Sequence, residues 1–311
     1  MTPVSFIGTV TNIESGASPF VRATRRPTRR GKSGKNDLTP NQKIISAAFV
    51  DARQAALGLR DYPGELPATL ADAYAIQDMS IARWPDMVAG WKIGLVPPAF
   101  RNPVGAERLV GPIFSDLIRG HADGEVHAMP VFADGFAAIE AEFIFVLAES
   151  VPVGTEITPE LARRVAGKLH VGVEIASSPF PGINQLGPIC VVTDFGNNFG
   201  LIVGPEIRDW QSRPWSDMPA SVTINGTRVG ATTAASLPGG PIGALEFTLR
   251  LMQMRGIALE AGSRISTGAV TGVHEAHVDD SSRVDFGPWG AIDLTLTALQ
   301  PGWGRARLST G

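Results

Sequence analysis

Glu140 and Glu142 stand two residues apart in Ile139-Glu140-Ala141-Glu142-Phe143-Ile144-Phe145-Val146-Leu147, a run that is otherwise wholly apolar. Side chains alternate faces along a strand, so the two carboxylates point the same way, about 6–7 Å apart. Residues 143–147 are apolar on both faces, the pattern of a strand covered on both sides. Two ionised carboxylates on one face of such a strand repel each other and desolvate badly unless positive charge sits between them. A hard divalent cation with a preference for oxygen ligands is the simplest solution. The competing reading is a solvated strand face, where Glu-x-Glu is common. Glu174 recurs in a second apolar run, Val171-Gly172-Val173-Glu174-Ile175-Ala176, and three acids in two core strands favour the metal reading.

At 311 residues the chain can bury a sizeable core. No apolar run approaches the roughly 20 residues of a membrane span. The single cysteine, Cys190, excludes an intrachain disulfide framework and a cysteine-rich zinc site, and it fits a reducing, cytoplasmic setting. It lies in the apolar run 188–192, where a packed thiol is expected rather than a nucleophile. Arg22, Arg25, Arg26, Arg29, Arg30, Lys32 and Lys35 form a basic cluster without an acid, which leaves 20 basic and 28 acidic side chains over 41–311. So acidic a body argues against a nucleic-acid-binding core.

Residues 1–40 are rich in Ser, Thr, Gly, Arg and Pro, lack periodicity, and read as a disordered basic extension. An arm for a polyanion, a targeting leader and a docking tail are possible uses, and a dispensable extension is the favoured one. Residues 41–311 read as a single catalytic domain, helical over 41–86 and β-rich over 87–300. Helical spacing covers 41–57, with Ile44, Ile45, Phe49 and Ala56 near one face, and 69–84, where Thr69 begins a capping arrangement with Asp72. Further helices fit 159–168 and 243–255. Strands are expected at 88–95, 141–147, 169–175, 189–193, 200–203, 221–224, 264–266 and 291–296. Helices first and strands later describe an α+β chain rather than β-α-β alternation.

Gly90-Trp91-Lys92-Ile93-Gly94-Leu95 places one lysine inside an otherwise apolar strand. Such a lysine usually snorkels outward, but beside an acidic cluster a partly buried ammonium can bind a substrate carboxylate or stabilise an enolate oxygen. Ser266-Thr267-Gly268-Ala269-Val270-Thr271-Gly272 offers hydroxyls and backbone N–H groups to an anion, or is simply a tight turn. Asp194-Phe195-Gly196-Asn197-Asn198-Phe199-Gly200 is a polar turn first and a ligand loop second. The five histidines (His121, His127, His170, His274, His277) show no zinc spacing and read as surface or structural groups. G-x-S-x-G and dinucleotide fingerprints are absent, so no organic cofactor is expected.

Together these segments, with Ala73-Tyr74-Ala75-Ile76-Gln77 and Asp285-Phe286-Gly287, resemble the fumarylacetoacetate hydrolase superfamily in its 2-hydroxypenta-2,4-dienoate hydratase and 4-oxalocrotonate decarboxylase branch. The resemblance covers roughly residues 41–300. It implies a mixed β-roll with N-terminal and flanking helices, and a Mg²⁺ or Mn²⁺ ion held by Glu140, Glu142 and Glu174. It further implies a small 2-oxo or 2-enol acid as substrate, Lys92 as the catalytic group beside its 2-oxygen, and a homo-oligomer. Candidate substrate contacts are Lys92, Asp194, Ser266, Thr267 and Thr271.

Three segments depart from the family pattern. Pro112-Ile113-Phe114 lacks an acid expected after the proline, with Asp116 a nearby substitute. Ser177-Ser178 replaces a more polar pair, and residues 120–138, with His121, Asp123 and Glu125, read as a loop that could cover the site. The resulting expectation is a metal-dependent hydratase acting on a 2-hydroxy-2,4-dienoate. The alternative is a C–C lyase, either a 4-oxalocrotonate-type decarboxylase or an acylpyruvate-type hydrolase, for whose water-activating His-Glu pair His121 and Glu125, four residues apart rather than three, are a weak match.

Overall fold

The computed structural model describes residues 38–301, so the extension expected over 1–40 falls, but for its last three residues, outside them. Helix α1 (Pro40–Ala55) starts where the sequence dictates: Thr39 Oγ1 accepts from Gln42 N, and Gln42 Oε1 accepts from Thr39 N in return. Helix α2 (Leu70–Arg83) is capped by Thr69. Then follow β1 (Val88–Leu95), α3 (Pro98–Val104), β2 (Arg108–Phe114), β3 (Ile118–Gly120), β4 (Val126–Val131) and β5 (Phe136–Leu147). Next come α4 (Pro159–Val165), β6 (Ala166–Ser178), α5 (Pro188–Thr193), β7 (Asn198–Glu206), β8 (Pro219–Ile224) and β9 (Thr227–Thr233). The chain continues through α6 (Gly240–Arg255), β10 (Arg264–Ser266), β11 (His274–Glu275), β12 (Ser281–Asp285) and β13 (Ala291–Ala298).

The strands form two mixed sheets, so the fold is α+β. The larger runs β2-β1-β10-β5-β6-β7-β3, with β11 added to β5; the smaller runs β4-β13-β12-β8-β9. β5 and β6 are the long central pair. Ile139, Phe143, Phe145, Val171, Val173 and Ile175 on them are completely buried, which is why both read as apolar runs. Their antiparallel register sets Glu140 directly opposite Glu174. Lys92 on β1 is three strand positions from Glu174, about 14 Å across a flat sheet at the usual spacing. Yet Lys92 Nζ lies 3.1 Å from Glu174 Oε1, so the sheet curls and its concave face gathers these side chains.

Two expectations fail here. Residues 189–193 form α5 and not a strand: a short apolar run does not distinguish the two by period, and Pro188 suits the first turn of a helix. The segment 120–138 is not a covering loop, because 126–131 is β4, paired with β13 in the smaller sheet. Among the described residues no helix is long and apolar enough to cross a membrane.

Candidate metal centre and its pocket

Glu140 and Glu142 share a face of β5, and Glu174 joins them from β6. One carboxylate oxygen of each lies within 4.8 Å of the others, and all three residues are buried. Each has a distinct hold. Glu142 Oε2 accepts from Ser266 Oγ and, at 2.9 Å, from Gly268 N. Glu174 Oε1 accepts from Asn198 Nδ2 at 3.1 Å and pairs with Lys92. Lys92 Nζ also donates to Asn197 Oδ1 at 3.2 Å.

Glu142 Oε1 and Glu174 Oε2 are buried with no hydrogen-bond partner in the protein. Orphaned carboxylate oxygens in a core are costly, and three carboxylates against one ammonium leave two negative charges uncompensated. Burial, partly offset by Lys92 and reinforced by Glu174, pushes Glu140 up to about 7. Glu142 rises well above the usual carboxylate range, by burial first and then by repulsion from Glu174 and Glu140. Burial works against the Lys92 ammonium, but attraction to Glu174, Glu140 and Glu142 outweighs it and raises its pKa. An oxygen-liganded divalent cation fits this donor set: it takes the orphaned oxygens and closes the charge.

The turn carrying Asn197 and Asn198 is held from the helical layer. Phe195, Gly196 and Asn197 all have positive φ (54°, 65° and 56°), a conformation that persists for Phe and Asn only when the surroundings enforce it. Arg53 of α1 does so. Its guanidinium pairs with Asp194, donates to the Asn198 and Ser177 carbonyls at 3.1 Å, and lies 5.2 Å from the Phe195 ring centroid. On the other side the turn abuts β2, where a Cβ on Gly111 would stand 2.2 Å from the Phe195 carbonyl oxygen. Arg53 escaped the sequence reading although it extends the Ile45–Phe49 stripe of α1 by one turn.

The expected substrate contacts fare differently. Lys92 lines a cavity of about 340 Å³ together with Glu140, Asn184 and Asn197. Asp194 does not: it is completely buried, with both carboxylate oxygens on Arg53. Ser266 serves Glu142, Thr267 Oγ1 donates to the Phe143 carbonyl at 2.8 Å, and Thr271 Oγ1 lies 3.0 Å from His274 Nε2. Their loop contributes Ala269, Gly272 and Val273 to the cavity wall instead of hydroxyls. Ser177 and Ser178 are structural, bonding to the backbone of Phe136, Phe132 and Phe180. Ile113 is completely buried in an apolar cluster with Ile144 and Leu201. Asp116 lies outside the cavity wall, its backbone N–H held by Asp86. His121, Glu125 and His127 do converge, with His121 Nδ1 3.0 Å from His127 Nε2, but they too lie outside the cavity wall.

No family model matches the chain. A 4-oxalocrotonate decarboxylase from a Pseudomonas species is 26% identical over 244 residues, spanning 75% of this chain and 90% of the relative. In its curled sheet, its carboxylate triad and its likeness to this relative, the chain is similar to the metal-dependent enzymes of the fumarylacetoacetate hydrolase superfamily. In fold it is similar to 4-oxalocrotonate decarboxylase from Pseudomonas putida G7 complexed with calcium and acetate, with a TM-score of 0.70 at 20% identity over 83% of this chain and 98% of that one. The complex of that enzyme with magnesium and adipate gives 0.68 at 20% identity, over 82% and 97%. Fumarylpyruvate hydrolase from Pseudomonas aeruginosa in complex with Mn²⁺ and pyruvate gives 0.50 at 13%, over 67% and 89%.

Proposed function

We propose that the protein is a divalent-metal-dependent C–C lyase of small 2-oxo acids, a decarboxylase of the 4-oxalocrotonate type. The observation that carries the reading is the buried triad Glu140, Glu142 and Glu174, with two partnerless oxygens and a single ammonium beside it. Mg²⁺ or Mn²⁺ held by these three carboxylates would supply positive charge to the carboxylate and 2-oxygen of a 2-oxo acid. Lys92, fixed by Glu174 and Asn197 on the cavity wall, adds a preorganised ammonium where negative charge develops on the 2-oxygen. Asn198 orients Glu174, and Ser266 with Gly268 N orients Glu142, so the head of the site is rigid before substrate arrives.

The choice of C–C cleavage over the hydration expected from sequence follows from what the wall offers. Water addition needs a polar group to hold and deprotonate water near the distal carbons. Ile113, where an acid was expected, is packed in hydrocarbon, and the His121–Glu125 pair that would serve a hydrolase lies outside the wall. Loss of CO₂ needs only an electron sink at the 2-oxygen. The 26% identical relative that bears the decarboxylase name supports the same choice.

The test is ultraviolet loss of 2-oxohex-3-enedioate with Mg²⁺ and with chelator, coupled to CO₂ release. Metal-dependent, stoichiometric CO₂ is expected. Metal-dependent conversion of 2-hydroxypenta-2,4-dienoate to 4-hydroxy-2-oxopentanoate, without CO₂ from the enedioate, would reinstate the hydratase.

A further inference from the structure

Beyond its polar head the cavity is walled by Leu95, Pro97, Leu109, Pro188, Val191 and Val273. Leu109 and Val191 are buried, whereas Leu95 and Val273 are exposed and stand at the mouth. Among the described lining residues Lys92 is the only side-chain cation, and Glu174 and Asn197 already hold it. A 2-oxo-enedioate anchored by its 2-oxo acid end at Lys92 therefore sets its far carboxylate along a wall that holds no cation and whose one polar side chain beyond the head is the exposed Asn184.

We propose that this apolar wall, with Val191 and Leu109 at its centre, is the seat of the departing carboxylate and promotes its loss by withholding a counter-charge. The proposal rests on the decarboxylase reading above. The bond between C5 and C6 breaks, and its electron pair passes along the conjugated chain to the 2-oxygen. C6 leaves as neutral CO₂, and the resulting dienolate takes one proton from solvent to give the 2-hydroxydienoate. A carboxylate is a localised charge and is poorly accommodated by Leu and Val side chains, whereas the same charge spread over a dienolate is penalised less. Interactions that favour the bound carboxylate but not the transition state would improve binding and slow the reaction. An apolar seat does the reverse.

The experiment introduces the missing charge. Val191→Lys places an ammonium in the wall, Val273→Lys places one at the exposed mouth where folding is least at risk, and Val191→Met is the uncharged control. Calorimetry with Mg²⁺ compares oxalate, 2-oxoadipate (a far carboxylate that cannot depart by this route) and 2-oxohexanoate (no far carboxylate). Wild type is expected to bind 2-oxohexanoate at least as tightly as 2-oxoadipate. A lysine variant is expected to favour 2-oxoadipate by about ten-fold, the scale of a new close charge pair. On the enedioate the lysine variants should show KM and kcat falling together, whereas Val191→Met, which alters the wall without charging it, should not lower KM. A wild-type preference of ten-fold or more for 2-oxoadipate, or a kcat raised by either lysine, overturns the seat while leaving the metal site in place. Absence of Mg²⁺-dependent oxalate binding by wild type removes the metal reading, and the seat with it.

Discussion

Arg53 and Asp194 form a completely enclosed ion pair, with Nε 2.5 Å from Oδ1 and Nη2 2.9 Å from Oδ2, linking the first helix to the turn that holds Glu174 and Lys92 of the candidate metal centre. The fork-to-fork geometry explains how one residue of α1 can dictate the positions of Asn197 and Asn198, 144 and 145 residues downstream of it. Removing one partner strands a buried charge. Arg53→Ala should therefore cost about 3–5 kcal/mol in denaturant unfolding. The Arg53→Ala/Asp194→Ala double variant should cost clearly less than the sum of the two single changes. Strict additivity would mean that the pair does not act as a unit.

Removing one of the three proposed metal ligands should help the metal-free protein. Glu142→Gln keeps the shape of the side chain and deletes one of three mutually repelling carboxylates. In chelator at pH 8 its melting temperature should equal or exceed that of wild type. The rise that Mg²⁺ produces in wild type should disappear, along with turnover. A variant that melts lower in chelator yet still responds to Mg²⁺ would place the ion elsewhere.

The carboxylates also set a pH dependence. Glu140 has its folded pKa raised from 4.5 to about 7, and Glu142 is also raised well above the usual carboxylate range, so the metal-free native state binds protons that the unfolded chain has released. The stability they contribute is whole below pH 4.5 and drains away as pH rises through about 7, with a slope of up to about 1.4 kcal/mol per unit for each group. Thermal melts in chelator should fall between pH 5 and pH 7.5, less steeply for Glu140→Gln. With Mg²⁺ the trend should reverse, because protons and cation compete for the same oxygens. A flat profile in chelator, identical in the variant, would contradict the assignment.

Lys92 separates binding from turnover. Lys92→Met fills similar volume without charge, so kcat should drop by about 10²–10³, the usual effect of losing one preorganised donor. Mg²⁺ affinity should hold or rise, since a neighbouring cation has been removed. Calorimetry and steady-state kinetics on the same preparation check both halves.

Part of this site could be seen in the sequence because strand geometry is local. The period of two put Glu140 and Glu142 on one face, and the flanking apolar run marked them as buried. Lys92 was legible for the same reason. The register of Glu140 against Glu174 was not, since it depends on where two segments pair across the 18-residue connection 148–165. Asp194 and the hydroxyls of Ser266, Thr267 and Thr271 misled because polarity in a turn does not say which partner takes it. Their partners are protein: Arg53, Glu142, the Phe143 carbonyl and His274. Arg53 itself was hidden by the habit of reading an arginine on a helix as solvated. Its position one turn after Ile45 and Phe49 was the available signal, and only the buried acid at 194 gives it meaning.

The head of the cavity is built on β1, β5 and β6, strands locked into the centre of the larger sheet, whereas α5 and the adjoining loops supply much of the tail wall. Such a division lets mutation explore the two ends at different rates. Changes in a one-and-a-half-turn helix can reshape the far wall and alter which ligands the cavity admits, while the ladder that fixes the charges stays put. A lineage built this way can change its diet without relearning its chemistry.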